Sequence, residues 1–146
     1  MNQPITQQGA VFAYFNEKLG LHPSDDFRGV CHLSPHLPPD MPRAMDDVAV
    51  AVGYNGFIGR ACCMHVVINR PEYFSRKILR EAFEYPFLVA GCEAVIGLVD
   101  SVNQAAVDFD KRIGFVEVAR IAHAGLEGDL VILRMLRSEC RWLRAN

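Results

Sequence analysis

The chain has 146 residues, of which 51% are hydrophobic and 22% charged, and its formal net charge is −2. This length fits a single domain spanning 1–146 with a substantial buried core, and the apolar content excludes a disordered chain. The slight negative charge argues against a nucleic-acid-binding protein, which would need a basic face to neutralise phosphates.

The sequence indicates a protein of the cytoplasm. Its first fifteen residues show no cationic start followed by an apolar run, and no apolar stretch is long enough to cross a bilayer. The cysteines are odd in number, and none has the CxxC spacing of a metal or redox pair. We interpret them as reduced, mostly buried thiols; they are Cys31, Cys62, Cys63, Cys92 and Cys140. His32, His36 and His123 share no ligand spacing, so no metal site is predicted.

The first 46 residues predict a helix, a short strand and a loop. Apolar positions from Val11 to Leu19 have helical spacing, and Gly20 is a plausible stop. The run FRGVCHLS is typical of a strand. Four prolines between positions 35 and 42 exclude both a helix and a central strand there.

The remaining chain alternates strands and helices. A hairpin is predicted around Asn55-Gly56, followed by an amphipathic helix that Pro86 helps to end. The continuous apolar run EAVIGLV is typical of a strand covered on both sides. A second helix begins at the cap Asn103 and ends at Gly114, and a closing hairpin follows it.

This order of elements predicts an α/β protein with a mixed α+β sheet. A strand-helix-strand crossover makes the strands near 60–68 and 94–99 parallel, while hairpins supply antiparallel neighbours, with helices on both faces. Ten side chains are predicted to form the core: Val50, Val52, Val66, Leu79, Phe83, Ile96, Leu98, Phe109, Phe115 and Ile132.

The start of the first crossover helix carries an unusual charge. Arg70, Arg76, Lys77 and Arg80 crowd an end of the helix where the backbone dipole is already positive. A solvated basic face would explain them, but this position follows a parallel strand, where helix amides bind anions. We therefore predict an anion site at this position.

The carboxyl-terminal half resembles the GNAT N-acetyltransferase superfamily. The run NQAAVDFDKRIGF matches that family's Asn, small residue, aromatic, basic stretch and Gly-Phe at Asn103, Ala106, Phe109, Lys111, Gly114 and Phe115. The order of elements agrees from about Asp47 to Leu143. The family usually begins with a strand before its first helix, and residues 1–46 are atypical in that respect.

The resemblance implies acetyl-CoA as co-substrate. Backbone groups near His65, at Val66 and Val67, would bind the pantetheine arm like an added strand. The family's pyrophosphate loop falls on Arg70, Tyr73 and Ser75, where Tyr73 and Ser75 replace two glycines, and Arg76 supplies further charge. Asn103 is, by the same resemblance, a coenzyme contact.

Two titratable residues are the candidates for acid–base chemistry. His65 is the best-placed residue on its strand to act as a base, although a hydrogen-bonded structural histidine would look the same in sequence. The family's tyrosine, which protonates the departing thiolate, aligns with Asp110. A solvated aspartate on a helix is the simpler interpretation of that residue, since an acid role needs a strongly raised pKa.

Two functions follow from the resemblance. The first is an acetyl-CoA-dependent N-acetyltransferase acting on an amine of a small molecule or a protein. The second is a catalytically silent relative that senses acyl-CoA or binds a protein partner, which the lost glycines and tyrosine favour. Neither a nucleic-acid nor a membrane partner is expected, and a homodimer is a possible assembly.

Overall fold

The computed structural model describes residues 4–20, 25–34 and 47–143. Its helices are α1 (Gln8–Leu19), α2 (Arg76–Glu84) and α3 (Gln104–Ile113). Its strands are β1 (Arg28–Leu33), β2 (Val48–Ile58), β3 (Ala61–Ile68), β4 (Ala94–Asp100), β5 (Val116–Ile121) and β6 (Leu130–Leu136). The predicted proline-rich loop at 35–42 lies outside the described residues.

The six strands form one mixed sheet in the order β1-β2-β3-β4-β6-β5. The strands β3 and β4 are parallel, as predicted, and join at Ala61–Ala94, Cys62–Val95 and Cys63–Ile96. The pairs β1–β2, β4–β6 and β5–β6 are antiparallel. The prediction of a mixed, mostly antiparallel α/β sheet with one parallel pair is confirmed.

By contact density the chain divides into two compact units. The first, which we call the amino-terminal unit, comprises Met1–Gly56 and Met64–Leu79. The second, the carboxyl-terminal unit, comprises Phe57–Cys63 and Arg80–Asn146. The single domain expected over 1–146 stays a prediction.

In the amino-terminal unit, α1 packs on β1 through paired glycines. Gly29 lies opposite Gly53 in the β1–β2 ladder. A Cβ atom at Gly53 would lie 2.9 Å from the Phe27 ring and 3.0 Å from Phe15. Only glycine therefore lets these rings approach the sheet. The helix stops at Gly20, whose φ of 63° is the left-handed end predicted for it.

The outer edge of β1 is covered by the chain that precedes α1. Ile5 exchanges backbone hydrogen bonds with Cys31, at 2.9 and 3.0 Å. The Gln8 side chain then bonds both backbone groups of Gly29, at 2.7 and 3.0 Å. The chain before α1 thus makes a one-residue bridge to β1, and Gln8 adds a side-chain amide. The family that the sequence resembles usually has a strand before its first helix.

In the carboxyl-terminal unit, α3 packs against β4 and β5. Asn103 caps α3, since its Oδ1 accepts a hydrogen bond from the Ala106 amide at 3.2 Å. Gly114 ends the helix with φ 119°, as predicted. The chain after β6 returns to this end, where Trp142 Nε1 donates to the Ile113 carbonyl at 2.8 Å. Side-chain hydrogen bonds therefore satisfy backbone groups at both ends of α3.

The core prediction is correct in part. Val50, Val52, Leu79, Phe83 and Phe115 are buried, whereas Val66 and Phe109 are only half-buried. The face assigned to β4 and β6 was wrong. Their buried side is formed by Val95, Gly97, Val131, Leu133 and Met135, while Ile96 and Ile132 are half-buried and Leu98 is exposed. Both faces of these strands are apolar, so the sequence alternation does not reveal which one is inside.

Two predicted boundaries also differ. The hairpin turns at Gly59-Arg60, and Asn55-Gly56 lies within β2, where Gly56 has φ 63°. Pro86 does not end its helix, because a π-helical turn over Tyr85–Val89 continues it. The Ala90 amide there bonds the Tyr85 carbonyl at 2.8 Å. A π turn omits the hydrogen bond that proline cannot donate.

Cysteines and hydropathy add two further observations. All five cysteines lie in the described residues and none forms a disulfide; four of them are buried and Cys63 is half-buried. Burial raises the pKa of the Cys31 thiol to about 11. Within the described ranges, no helix combines the length and the apolar character needed to cross a membrane.

Candidate active site

The parallel ladder between β3 and β4 is short. It joins three residue pairs and ends at Cys63 and Ile96, although β3 itself continues to Ile68 and β4 to Asp100. Val66 and Val67 lie in the part of β3 beyond that end. Their backbone groups on this edge take no part in the parallel ladder, and an extended ligand can use such groups as it would those of a strand.

His65 lies in the same part of β3 and is half-buried. Its Nε2 is 2.8 Å from Asn55 Oδ1. A carbonyl oxygen only accepts hydrogen bonds, so Nε2 carries the proton and Nδ1 keeps a lone pair. Burial lowers the pKa of the imidazole below its ordinary value. Among the described residues Nδ1 has no hydrogen-bond partner, so its lone pair is available to accept a proton.

The segment that follows β3 brings two arginines to the start of α2. Arg70 ends the extended chain, with its amide bonded to the Ala49 carbonyl at 3.1 Å, and a 3-10 turn at Pro71–Tyr73 follows. Arg70 and Arg76 have no carboxylate partner in the part of the chain the structure describes. Arg80, by contrast, is paired with Glu84 at 2.9 Å. The predicted basic cluster therefore contains one cation already engaged within the helix.

Ser75 has a structural role at this helix start. Its Oγ accepts a hydrogen bond from the Ile78 amide at 3.2 Å, which is the side-chain cap of α2. The predicted diphosphate contact at Ser75 would have to share this hydroxyl with the cap or use the backbone amide. No acidic residue occupies the first turn of α2, so the positive end of the helix dipole is not compensated there.

Asp110 is not the solvated helix residue that its sequence context suggested. It is half-buried, and a Cβ atom on Gly97 of β4 would lie 3.1 Å from its Oδ2, so the carboxylate covers that glycine. Burial raises the pKa of Asp110 to about 6. Within the described ranges the carboxylate makes no hydrogen bond or ion pair. Burial therefore shifts this carboxyl toward the protonated form that a general acid requires.

A second aspartate, at the end of β4, has a role that no sequence pattern indicated. Asp100 accepts backbone hydrogen bonds from Val102 at 3.1 Å and from Glu127 at 2.8 Å. The Glu127 bond is the main reason why the pKa of Asp100 is lowered. These contacts hold the loop between β5 and β6 against the start of α3. The partners are 27 residues apart in sequence, so no local pattern marks them.

Asn69 is a second residue that the sequence did not single out. Its Nδ2 donates to the Tyr14 hydroxyl at 2.6 Å and to the Val48 carbonyl at 2.9 Å. It directly precedes Arg70 and fixes the end of β3 to α1 and β2. This role explains an asparagine here without any contact to a ligand.

The predicted site residues fall into two groups. His65, Val66, Val67, Arg70, Tyr73, Ser75 and Arg76 lie within the amino-terminal unit, and Asn103 and Asp110 within the carboxyl-terminal unit. Within the first group the structure brings His65 to Asn55, and within the second it places Asp110 over Gly97. Asn103 is exposed, and its side chain is used as the helix cap.

Comparison with solved structures places this arrangement among known folds. Mutant forms of the spermidine/spermine N-acetyltransferase SpeG from Vibrio cholerae superpose with a TM-score of 0.68 over 94% of each chain, at 14% identity. The chain has the fold of the GNAT acetyltransferases. A chimera of that enzyme with hSSAT gives a TM-score of 0.67 at 14% identity, over 97% of this chain and 98% of the other.

A third structure shows an assembled relative. It is a dodecameric spermidine N-acetyltransferase from Vibrio cholerae, with a TM-score of 0.58 and 17% identity over 85% of this chain and 71% of that one. No protein-family model matches the chain, and no curated protein matches it in sequence. The likeness therefore establishes the fold.

Proposed function

We propose that this protein is an acetyl-CoA-dependent N-acetyltransferase that transfers an acetyl group to an amine. The observation that carries the proposal is the early end of the parallel ladder at Cys63 and Ile96, in a chain with an acetyltransferase fold. It leaves the backbone of Val66 and Val67 available to an extended ligand. The pantetheine arm of acetyl-CoA is such a ligand, since its two amides can bond a strand edge.

The coenzyme diphosphate belongs, in this proposal, at the start of α2. Arg70 and Arg76 supply charge, and the first amides of α2 together with the Ser75 amide supply hydrogen-bond donors. Tyr73 lies beside this site, with its amide already bonded to the Arg70 carbonyl at 3.0 Å. The charge of the two arginines would replace the close backbone contacts with the diphosphate that the two missing glycines would allow. Asn103 remains a coenzyme contact by resemblance, compatible with its role as a cap.

The reaction needs one base and one acid. In this proposal, His65 Nδ1 accepts a proton from the acceptor ammonium, directly or through water. The neutral amine nitrogen then attacks the thioester carbonyl, the carbon–sulfur bond breaks, and the coenzyme leaves as a thiolate, while the second proton on the nitrogen passes to water. The Asp110 carboxyl donates its proton to that sulfur. Burial favours the neutral form of both groups, which is the form each role requires.

The acceptor is proposed only as an amine. The solved structures of similar fold are named as spermidine N-acetyltransferases, so a first panel of test substrates should include polyamines. A cytoplasmic location is also part of the proposal, because five thiols without a disulfide fit a reducing compartment.

One observation favours the silent alternative. The Ser75 hydroxyl is engaged with the Ile78 amide, and Tyr73 stands where a glycine is usual in the family that the sequence resembles. Weak diphosphate binding would make an acyl-CoA sensor or a protein-binding module more plausible than an enzyme. Calorimetric titration with acetyl-CoA, followed by assays of thiol release with spermidine, spermine and simple amines, separates the two. Binding without turnover would support the sensor.

The diphosphate site has its own test. Replacing Arg70 and Arg76 together by alanine should weaken acetyl-CoA binding by roughly tenfold or more, because a charge-assisted hydrogen bond contributes about 1.5–3 kcal/mol. Pantetheine, which lacks the diphosphate, should bind the variant and the parent alike. The matched control is Arg80→Ala, which removes a cation already paired with Glu84. Unchanged acetyl-CoA affinity in the double variant would show that the two arginines are an ordinary basic surface.

A further inference from the structure

Asn55-Gly56 lies inside β2, although an Asn-Gly pair is typical of a hairpin turn. The turn is formed by Gly59-Arg60, and Gly59 has the positive φ, 60°, that a two-residue turn favours at its first residue. Gly56 also has a positive φ, 63°, which a regular strand does not use. The Asn-Gly pair therefore shapes the strand and not the turn.

The register of the hairpin shows that β2 contains one extra residue. A two-residue turn sets Ile58 opposite Ala61, and regular pairing from there would set Val50 opposite Asn69. Instead, the Asn69 amide bonds the Ala49 carbonyl at 2.9 Å, and residues joined in this way lie opposite each other. Between the turn and Ala49, β2 thus has one residue more than regular pairing needs, which is a β-bulge.

The bulge lies at Gly56 and moves Asn55 onto the face of His65. Within β2, Gly56 alone has a positive φ, the backbone conformation of a glycine in a bulge. Without the extra residue, Asn55 would lie opposite Met64 and on the other face of the hairpin from His65. With it, Asn55 lies on the same face, and its Oδ1 is 2.8 Å from His65 Nε2. The hydrogen bond therefore depends on the bulge.

The partner of His65 is a neutral amide, which suits a base. The Asn55 Oδ1 accepts the Nε2 proton, which restrains the ring and leaves the lone pair on Nδ1. A carboxylate in this position would restrain the ring equally well but would favour the imidazolium, which cannot accept a proton. Burial lowers the pKa of His65, and no charged side chain of the described residues contributes to that change. Asparagine thus orients the imidazole without stabilising its charged form.

We infer that the Asn55-Gly56 bulge positions His65 for proton transfer in the proposed acetyl transfer. Gly56 sets the direction of the Asn55 amide, and Asn55 in turn holds the ring so that Nδ1 can take the proton of the acceptor ammonium. The inference rests on the proposed function and deepens it. Both are positioning residues, because they act through His65 and need no contact with coenzyme or acceptor.

Nuclear magnetic resonance of histidine-labelled protein tests the contact without any substrate. The His65 ring is assigned as the signal that disappears in His65→Gln. In the parent, the nitrogen shifts of the neutral ring should place the proton on Nε2. Asn55→Asp keeps the acceptor and adds a charge, so it should raise the measured pKa of His65 by about 1 or more. Asn16→Asp, exposed on α1, is the matched control and should leave that pKa unchanged.

Activity then measures what the contact contributes to the reaction. Asn55→Ala should lower kcat by about tenfold or more and leave the KM for acetyl-CoA unchanged, because a misplacement of about 1 Å can cost 10²-fold. Asn55→Asp should lose most kcat/KM at acid pH and approach the parent above its raised pKa, where the ring is neutral and still held. A residue that merely stabilised the strand would give a loss without this dependence on pH.

Gly56 has a matched control within the same hairpin. Gly56→Ala and Gly59→Ala each place a side chain on a residue with φ near 60°, so both should lower the melting temperature through similar backbone strain. Gly56→Ala alone disturbs the bulge, so it alone should lower kcat. An equal loss of kcat in both variants would show that hairpin stability, and not the bulge, controls activity.

The outcomes separate this inference from the proposed function. A proton on Nδ1 in the parent, an unchanged pKa of His65 in Asn55→Asp, or a normal kcat in Asn55→Ala would overturn the positioning role alone, provided that the parent is active. A parent that releases no thiol with any amine would overturn the proposed function and this role with it. Thermal unfolding of each variant by circular dichroism checks that the chain still folds.

Discussion

His65 in the amino-terminal unit and Asp110 in the carboxyl-terminal unit are both half-buried, yet their pKa values move in opposite directions. Burial lowers the pKa of the imidazole and raises that of the carboxyl to about 6. The cause is the same in both places, since removal from water disfavours a charged form whatever its sign. One physical effect, applied to a base and to an acid, shifts each toward the neutral state that proton transfer needs.

The two sites differ in their surroundings. His65 has a defined hydrogen-bond partner, Asn55, which selects the tautomer and leaves Nδ1 to react. Asp110 has no such partner among the described residues and lies over Gly97. The base is therefore positioned by a hydrogen bond, whereas the acid is held by packing alone.

Removing the base should have the largest effect. His65→Gln should lower kcat/KM at neutral pH by about a hundredfold or more, because a positioned base contributes typically 10²–10⁴-fold. The loss should shrink as the pH rises toward the pKa of the acceptor amine, which then arrives without its proton. Thiol release measured from pH 6 to 10 checks this, with His123→Asn on an exposed loop as the control. An equal loss at every pH would indicate a structural role for His65.

Removing the acid should have a smaller effect. Asp110→Asn should lower kcat by roughly ten- to a hundredfold, at the low end of acid catalysis, because a thiolate is a fair leaving group without a proton. The parent needs protonated Asp110, so its activity should fall as the pH rises above about 6. The variant should lack that alkaline limb. Asp108→Asn, an exposed neighbour that accepts from Gln104 at 2.8 Å, is the matched control.

The smallest expected effect is on stability. The folded-state pKa of Asp110 is raised from 3.8 to about 6, so its contribution to stability is fully present below pH 3.8 and lost as the pH rises through about 6. Asp110→Asn has no such loss. The melting temperature of the variant relative to the parent should therefore be higher at pH 7 than at pH 4. A difference in melting temperature between variant and parent that is the same at pH 4 and pH 7 would contradict the assignment of burial as the cause.

Local sequence signals predicted most of the fold. The ends of α1 and α3 follow from Gly20, Asn103 and Gly114, whose preferences act within one turn of the helix. The parallel pair of β3 and β4 follows from a crossover, which chain geometry constrains strongly. These features need no knowledge of distant partners.

The wrong predictions occur where contacts with residues far away in the sequence determine the structure. Asn55-Gly56 is the stronger local turn signal, but the chain turns at Gly59-Arg60, because the pairing of β2 with β3 sets the register. On β4 the choice between Ile96 and Val95 as the buried residue depends on which face α3 covers. An apolar run has no alternation from which to choose.

The site residues came from two kinds of argument. Arg70 was proposed from its place after a parallel strand, whereas the roles of His65 and Asp110 follow from the family resemblance, and all three stay predictions. The hydrogen bond to Asn55 spans ten residues and depends on the hairpin register, so the sequence could not supply it. The burial of Asp110 depends on a glycine of β4 opposite it, which no local pattern around Asp110 reveals.

Asn69 connects segments that lie 55 and 21 residues away from it along the chain. Because Asn69 bonds Tyr14 of α1 and directly precedes Arg70, the docking of α1 and the position of that arginine are coupled. Thermodynamic reciprocity then applies: a ligand that binds only when Arg70 is in its native place also favours the docked helix, by the same free energy. The amino-terminal helix is in this sense a remote participant in whatever the arginine binds.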